Sequence, residues 1–260
     1  MVRRHAGTAF RGAHVFPGGR VDEADGDLAT SDWCDGLDHA ARQMPDLPGP
    51  EAVAFHIAGV RELFEEAGVL VARRPAGGFV SLADGGSHQR FMDHRAAVHA
   101  RSRTLRAIAE GESLRVALDA LRLFAHWVTP PLPVEGRRFD TRFFMTRVPE
   151  GQVPAHDDRE TTDGLWMRPH EAIARAFNRE IVLPPPTWVT LRELERHTDV
   201  DHALAWAAAR RVARREPAVV DENGSRVLVM PLDDGPEPIQ YERRFALRDG
   251  AWGPIEERMP

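Results

Sequence analysis

One stretch constrains this chain more than any other. Over residues 51–67 the apolar side chains Val53, Ile57, Val60 and Phe64 recur at steps of three and four, and Gly68 follows as a stop. The spacing predicts an amphipathic helix. The same helix carries Glu62, Glu65 and Glu66 at i, i+3 and i+4, so three carboxylates share a face. Each like-charge pair costs about 0.2–0.5 kcal/mol even when exposed, so the cluster calls for counter-charge. Arg61, four residues before Glu65, can supply some through a fork-shaped hydrogen bond. A hard divalent cation, magnesium or manganese, is the other source. A solvated acidic helix face is the plain alternative.

Composition removes several classes of function. The 260 residues are 42% hydrophobic and 28% charged, enough chain for one elaborated domain or two small ones. No apolar run approaches the roughly 18 residues of a membrane span. Residues 1–10 lack a secretory apolar core and Arg258-Met259-Pro260 forms no address, so a cytoplasmic protein is expected. All 34 basic residues are arginine, which excludes a Walker-type loop, a Schiff base and a kinase-type lysine. A net charge of -6 argues against nucleic acid as a partner. Cys34 is the only cysteine, so neither an intrachain disulfide nor a cysteine zinc cluster can form, and its acidic neighbours suggest a solvent-facing structural thiol. The histidines show no H-E-x-x-H spacing, and no G-x-S-x-G elbow is present.

Glycine and proline punctuate the rest. His14-Val15-Phe16 predicts a short strand before Pro17-Gly18-Gly19, and residues 22–50 read as an acidic, turn-rich surface excursion. Residues 69–71 predict a strand. Residues 87–127 predict two helical stretches broken at Gly111, the second carrying Leu114, Ala117, Leu118, Leu121, Phe124 and Ala125 on one face. Strands follow at 139–148 and 164–167, then helices at 169–177, from Pro184-Pro185-Pro186-Thr187 to 196, and at 200–214. The tail predicts a hairpin around Glu222-Asn223-Gly224-Ser225. Phe139, Phe143, Phe144 and Trp127 read as core rather than as a base-stacking platform.

Taken together, Pro17-Gly18-Gly19 and Arg61-Glu62-Leu63-Phe64-Glu65-Glu66-Ala67-Gly68-Val69 resemble the box of the Nudix hydrolases: glycine, five residues, glutamate, seven residues, then R-E-U-x-E-E-x-G-U with U aliphatic. The second half matches at every fixed position. In the first half Asp25 stands where glutamate is usual, and 35 residues rather than seven separate it from Arg61, an insertion of 28. Both departures are similar to a subgroup with an interrupted box that includes the peroxisomal acyl-CoA diphosphatases. The similarity runs on through Trp127-Val128-Thr129-Pro130, Arg138-Phe139-Asp140-Thr141-Arg142-Phe143-Phe144 and Glu160-Thr161 with Trp166. In that family the first strand begins upstream of Val2-Arg3-Arg4-His5, so the chain is expected either to start inside it or to have a short edge.

The resemblance implies a Nudix α/β/α sandwich with a mixed sheet over 1–197, a helical insertion near 87–126 and a C-terminal helix and hairpin extension at 198–260. It implies a Mg2+ or Mn2+ site of Glu62, Glu65, Glu66 and the Gly18 carbonyl, with Arg61 orienting a glutamate. Glu160 would serve as a further ligand or general base, and Asp25 would bind either Arg61 or, through water, the metal. The implied reaction is hydrolysis of a nucleoside diphosphate linked to another moiety, first coenzyme A or acyl-CoA, giving 3′,5′-ADP and (acyl) phosphopantetheine. Arg73-Arg74 and Arg137-Arg138 are the nearest arginine pairs for a 3′-phosphate. The partner would be a small molecule, with no membrane, and a homodimer stays open. Two rivals remain: the same chemistry on ADP-ribose, a dinucleotide or a nucleoside triphosphate, and a Nudix-shaped ligand-binding regulator without turnover.

Overall fold

The computed structural model describes residues 1–4, 12–27, 32–130, 138–155, 161–232, 238–248 and 251–255. Glu160 and Arg137 lie outside the described residues. The long helix is the spine. It follows β1 (Val2–Arg4), β2 (His14–Val15), a 3-10 turn (Glu23–Gly26), β3 (Cys34–Asp35) and α1 (Leu37–Gln43), and spans α2 (Gly49–Ala67). Pro50 in its first turn and Glu51 suit a helix start, and Gly68 closes it with a backbone bond to the Phe64 carbonyl. Val53, Ile57, Val60 and Phe64 are all buried, as the periodicity requires. Ala52, Ala54, Ala58 and His56 are buried too, because the excursion covers another side of the helix.

That excursion corrects the sequence expectation of a surface loop. Asp25 is buried, β3 runs parallel to a later strand, and α1 rests on α2 with Ala40 and Met44 inside. Cys34 is correspondingly not solvent-facing: it is buried in the first core. Burial pushes its thiol up to about 12, with Asp35 adding to the rise and the nearby Arg115 opposing it.

Beyond α2 come β4 (Ala72–Arg73), α3 (Gly85–His99) and α4 (Leu105–Gly111). The expected strand at 69–71 therefore starts later, although Val69, Leu70 and Val71 are buried. The expected second helix over 114–125 is instead β5 (Arg115–Ala117), a 3-10 turn (Leu118–Ala120) and β6 (Arg122–Val128). The helical part of the insertion thus ends at Gly111. A strand buried on both faces has no period-two signature, and from Leu123 to Val128 every side chain of β6 is buried.

The remaining elements are β7 (Asp140–Met145), β8 (Thr161–Gly164), α5 (Pro169–Phe177), α6 (Pro185–Glu195), α7 (Val200–Ala209), β9 (Arg214–Arg215), β10 (Ala218–Glu222), β11 (Ser225–Val229), β12 (Arg244–Arg248) and β13 (Ala251–Pro254). The sheets are mixed: β2-β1-β8 antiparallel, β3-β5-β4 and β7-β6-β9 with one parallel pair each, and the meander β10-β11-β12-β13. The short β1 lies in the centre of its sheet, not at an edge. The last helix stops at Ala209 rather than 214, since Arg214 and Arg215 pair with His126 and Trp127. The expected hairpin forms at Asn223-Gly224, both at positive φ as a type I′ turn needs, and two further strands extend it. Among the described residues no helix is long and apolar enough to cross a membrane.

Candidate active site

The carboxylates of α2 face the turn that leaves β2. Gly18 N–H donates to Glu66 Oε2 at 3.1 Å, and Gly19 lies so close to Glu62 that a Cβ there would stand 2.3 Å from Oε1. Any side chain there would displace the Glu62 carboxylate from this position. On the other side of the helix turn, Arg61 gathers the acids. Its Nε and Nη2 grip Asp25 in a two-pronged bond at 2.9 Å each, and its Nη1 reaches Glu62 at 2.8 Å and Glu65 at 3.2 Å. Nη2 also donates to the Arg20 carbonyl at 2.6 Å. Burial disfavours the charged guanidinium, but the Asp25 bond and the charges of Asp25, Glu62 and Glu65 outweigh it and raise its pKa, so Arg61 stays cationic. Of the two roles weighed for Asp25, the structure has it binding Arg61.

A residue with no signal in the sequence completes the support. The buried Arg95 on α3 donates from Nε to the Glu65 carbonyl at 2.8 Å and from Nη2 to the Ala155 carbonyl at 2.9 Å. Ala155 N–H in turn reaches the Ala67 carbonyl at 3.0 Å. The end of α2 and the chain just ahead of Glu160 are therefore fastened together by groups 30 to 88 residues apart in sequence.

The donor chemistry fits a hard divalent cation: carboxylate oxygens on one helix turn, a glycine turn against them, and one arginine for partial neutralisation. Among the described residues no three His, Cys, Asp or Glu side chains converge as a ready set of ligands. Glu62 and Glu65 are turned to Arg61, and Glu66 to Gly18 N–H.

Glu62 and the Gly18-Gly19 turn border a cleft of about 1510 Å³, lined also by Arg20, Phe139, Arg142, Phe143, Trp166, Leu194 and Trp252. Arg138 also lines it, though its Nη2 is paired with Glu216. Arg73 and Arg74 are not on its wall. Arg73 is held by Asp119 at 2.7 Å, and Arg74 is exposed in the turn that follows β4.

A family model, the NUDT19 Nudix domain, matches residues 38–194. The chain belongs to the Nudix family. Its Nudix relatives include two proteins named acyl-coenzyme A diphosphatase NUDT19, from Homo sapiens at 32% identity and Gallus gallus at 31%, each aligned over 70% of this chain and 56% of the relative. The chain thus spans little more than half the length of these relatives. A putative nudix hydrolase 7 from Caenorhabditis elegans is 28% identical over 72% of this chain and 52% of its own. The crystal structure of a Nudix hydrolase from Alicyclobacillus acidocaldarius shares the fold with a TM-score of 0.59 at 24% identity, covering 78% of this chain and 86% of that one. Nudix hydrolases in general use divalent metals.

Proposed function

We propose that the chain is a Mg2+- or Mn2+-dependent Nudix diphosphatase that cleaves coenzyme A or acyl-CoA into 3′,5′-ADP and (acyl) phosphopantetheine. The observation that carries this reading is the Arg61 clamp on Glu62 and Glu65, with Glu62 against Gly19 and Glu66 against Gly18 at the edge of a large cleft. The names of the human and chicken relatives support the coenzyme A class. Glu62, Glu65, Glu66 and the Gly18 carbonyl would hold the ion. When bound, it supplies charge that neutralises diphosphate oxygens and makes water a better nucleophile. Arg61 keeps Glu62 and Glu65 oriented while Asp25 fixes Arg61. Glu160, carried by the chain that Arg95 fastens at Ala155, would be a further ligand or accept the proton of the attacking water. Arg138 at the rim, with its neighbour Arg137, would recognise the 3′-phosphate of coenzyme A. Arg73 and Arg74 stand off the cleft wall and drop out of that role.

The test is metal dependence. Hydrolysis of coenzyme A should stop in chelator and return with magnesium or manganese but not with calcium, which accepts looser coordination and activates water poorly. Full turnover in chelator would remove the metal from the proposal.

A further inference from the structure

The cleft holds an aromatic ring that the site described so far does not use. Trp166 is 74% exposed, unusual for a tryptophan, and it lines the same cleft as Gly18, Gly19 and Glu62. Apart from Phe139, which is smaller and 37% exposed, the other large rings of the cleft are committed to packing. Phe143 stacks edge-on to Phe16 and Phe124, Phe144 lies against His56, Trp127 is buried under Arg215, and Trp252 joins the second core. No ring or guanidinium among the described residues stacks on Trp166.

Register gives its position. Val2 on β1 pairs with Val15 on one side and Gly164 on the other, and both pairings are antiparallel. β2 and β8 are therefore parallel to each other and leave the sheet at the same end. From Val15 the chain enters Phe16-Pro17-Gly18-Gly19, the turn set against Glu62 and Glu66. From Gly164 it enters Leu165-Trp166, with Leu165 N–H bonded to the Met1 carbonyl. Two strand spacings separate these exits, roughly 10 Å. An open aromatic face thus stands one short step across the sheet from the carboxylate helix.

We infer that Trp166 is the platform on which the base of the substrate's nucleotide stacks. The inference rests on the diphosphatase reading above, since it names what holds the adenosine half of that substrate. A flat heteroaromatic base needs a π-face and little else, and an unstacked tryptophan offers the largest one among the side chains. The geometry also fixes direction: the diphosphate lies at the Gly18-Gly19 turn and the base lies across β1 toward β8.

The experiment compares the chain with its Trp166→Ala and Trp166→Phe variants by calorimetric titration of 3′,5′-ADP, AMP and 4′-phosphopantetheine, with coenzyme A turnover measured alongside. Because Trp166 is exposed, both variants should keep the parental melting temperature. Trp166→Ala should weaken both adenine nucleotides by about 5- to 150-fold, the range of base–aromatic stacking, while leaving phosphopantetheine unchanged. Trp166→Phe should restore most of the loss. Equal nucleotide affinity in parent and Trp166→Ala overturns the platform, as does a parent that binds neither nucleotide. A changed oligomeric mass with unaltered nucleotide affinity would mean that Trp166 serves self-association, which overturns it equally. A parent that binds AMP through Trp166 yet leaves coenzyme A intact keeps the platform and removes the coenzyme A reading instead.

Discussion

Glu65 shows how one side chain ties helix, clamp and chemistry together. Its carboxylate meets Arg61 and its carbonyl meets Arg95. Glu65→Gln keeps the size of the side chain and removes the charge, so we predict that kcat falls by at least about a hundredfold at an unchanged melting temperature. Glu66→Gln should behave likewise. Parental steady-state rates at the parental Tm would return these residues to an ordinary acidic helix face. At this scale the sequence was informative wherever the relation was local: Arg61, Glu62, Glu65 and Glu66 lie within two helical turns. The partnership of Arg61 with Asp25 crosses 36 residues, and that of Arg95 with Glu65 crosses 30, and no periodicity reports either. Gly19 was legible as part of a motif, whereas its reason, the closeness of Glu62, is a property of packing.

At the scale of elements, the docking of α1 on α2 explains how an insertion inside the box can leave the site intact. Gln43 on α1 accepts from Leu123 N–H at 2.7 Å and donates to the Leu121 carbonyl at 3.1 Å, and its Nε2 lies 2.9 Å from His56 Nε2. His56 Nδ1 is 2.8 Å from the Ala52 carbonyl, which makes Nδ1 the protonated nitrogen of a neutral ring. Burial, with a small contribution from His39, lowers the His56 pKa to about 4 despite the opposing bond to Ala52. The folded value lies below the ordinary 6.5, so the unfolded chain binds a proton that the folded one refuses. Stability is complete above about pH 6.5 and is lost as pH falls, by about 3 kcal/mol at pH 4. His56→Gln can still bond Gln43 but cannot titrate; urea unfolding from pH 7 to 4 should show a shallower loss than in the parent, and identical slopes would contradict the account. The misread helix at 114–125 belongs here as well. Its residues are buried as expected, but burial on both faces of β6 erases the alternation that distinguishes strand from helix.

Across the whole molecule, the described residues of the 198–260 extension contribute to the fold's second core. Ala207, Leu228, Met230, Tyr241 and Phe245 share that core with Phe124, Trp127 and Trp188. The seam is anchored by Glu193 on α6, fully buried, which accepts from Arg215 Nη2 at 2.5 Å and lies 3.5 Å from Arg210. The Arg215 guanidinium also sits 5.0 Å from the centre of the Trp127 ring. Removing one partner of a buried ion pair is costly, so Glu193→Ala should lower unfolding stability by about 3–5 kcal/mol in urea. A loss below about 0.5 kcal/mol would mean that the seam is held by apolar contacts alone. From sequence, a hairpin and a helix were visible in this region, but their destination was not, because β9 joins β6 across some 90 residues. The central claim, that this fold carries a coenzyme A diphosphatase, is tested most directly by the masses of the products formed from acyl-CoA and magnesium. The account predicts 3′,5′-ADP and acyl phosphopantetheine in equal amounts, both formed at least about a hundredfold more slowly with Glu65→Gln. An intact substrate, or cleavage at the thioester instead of the diphosphate, would contradict it.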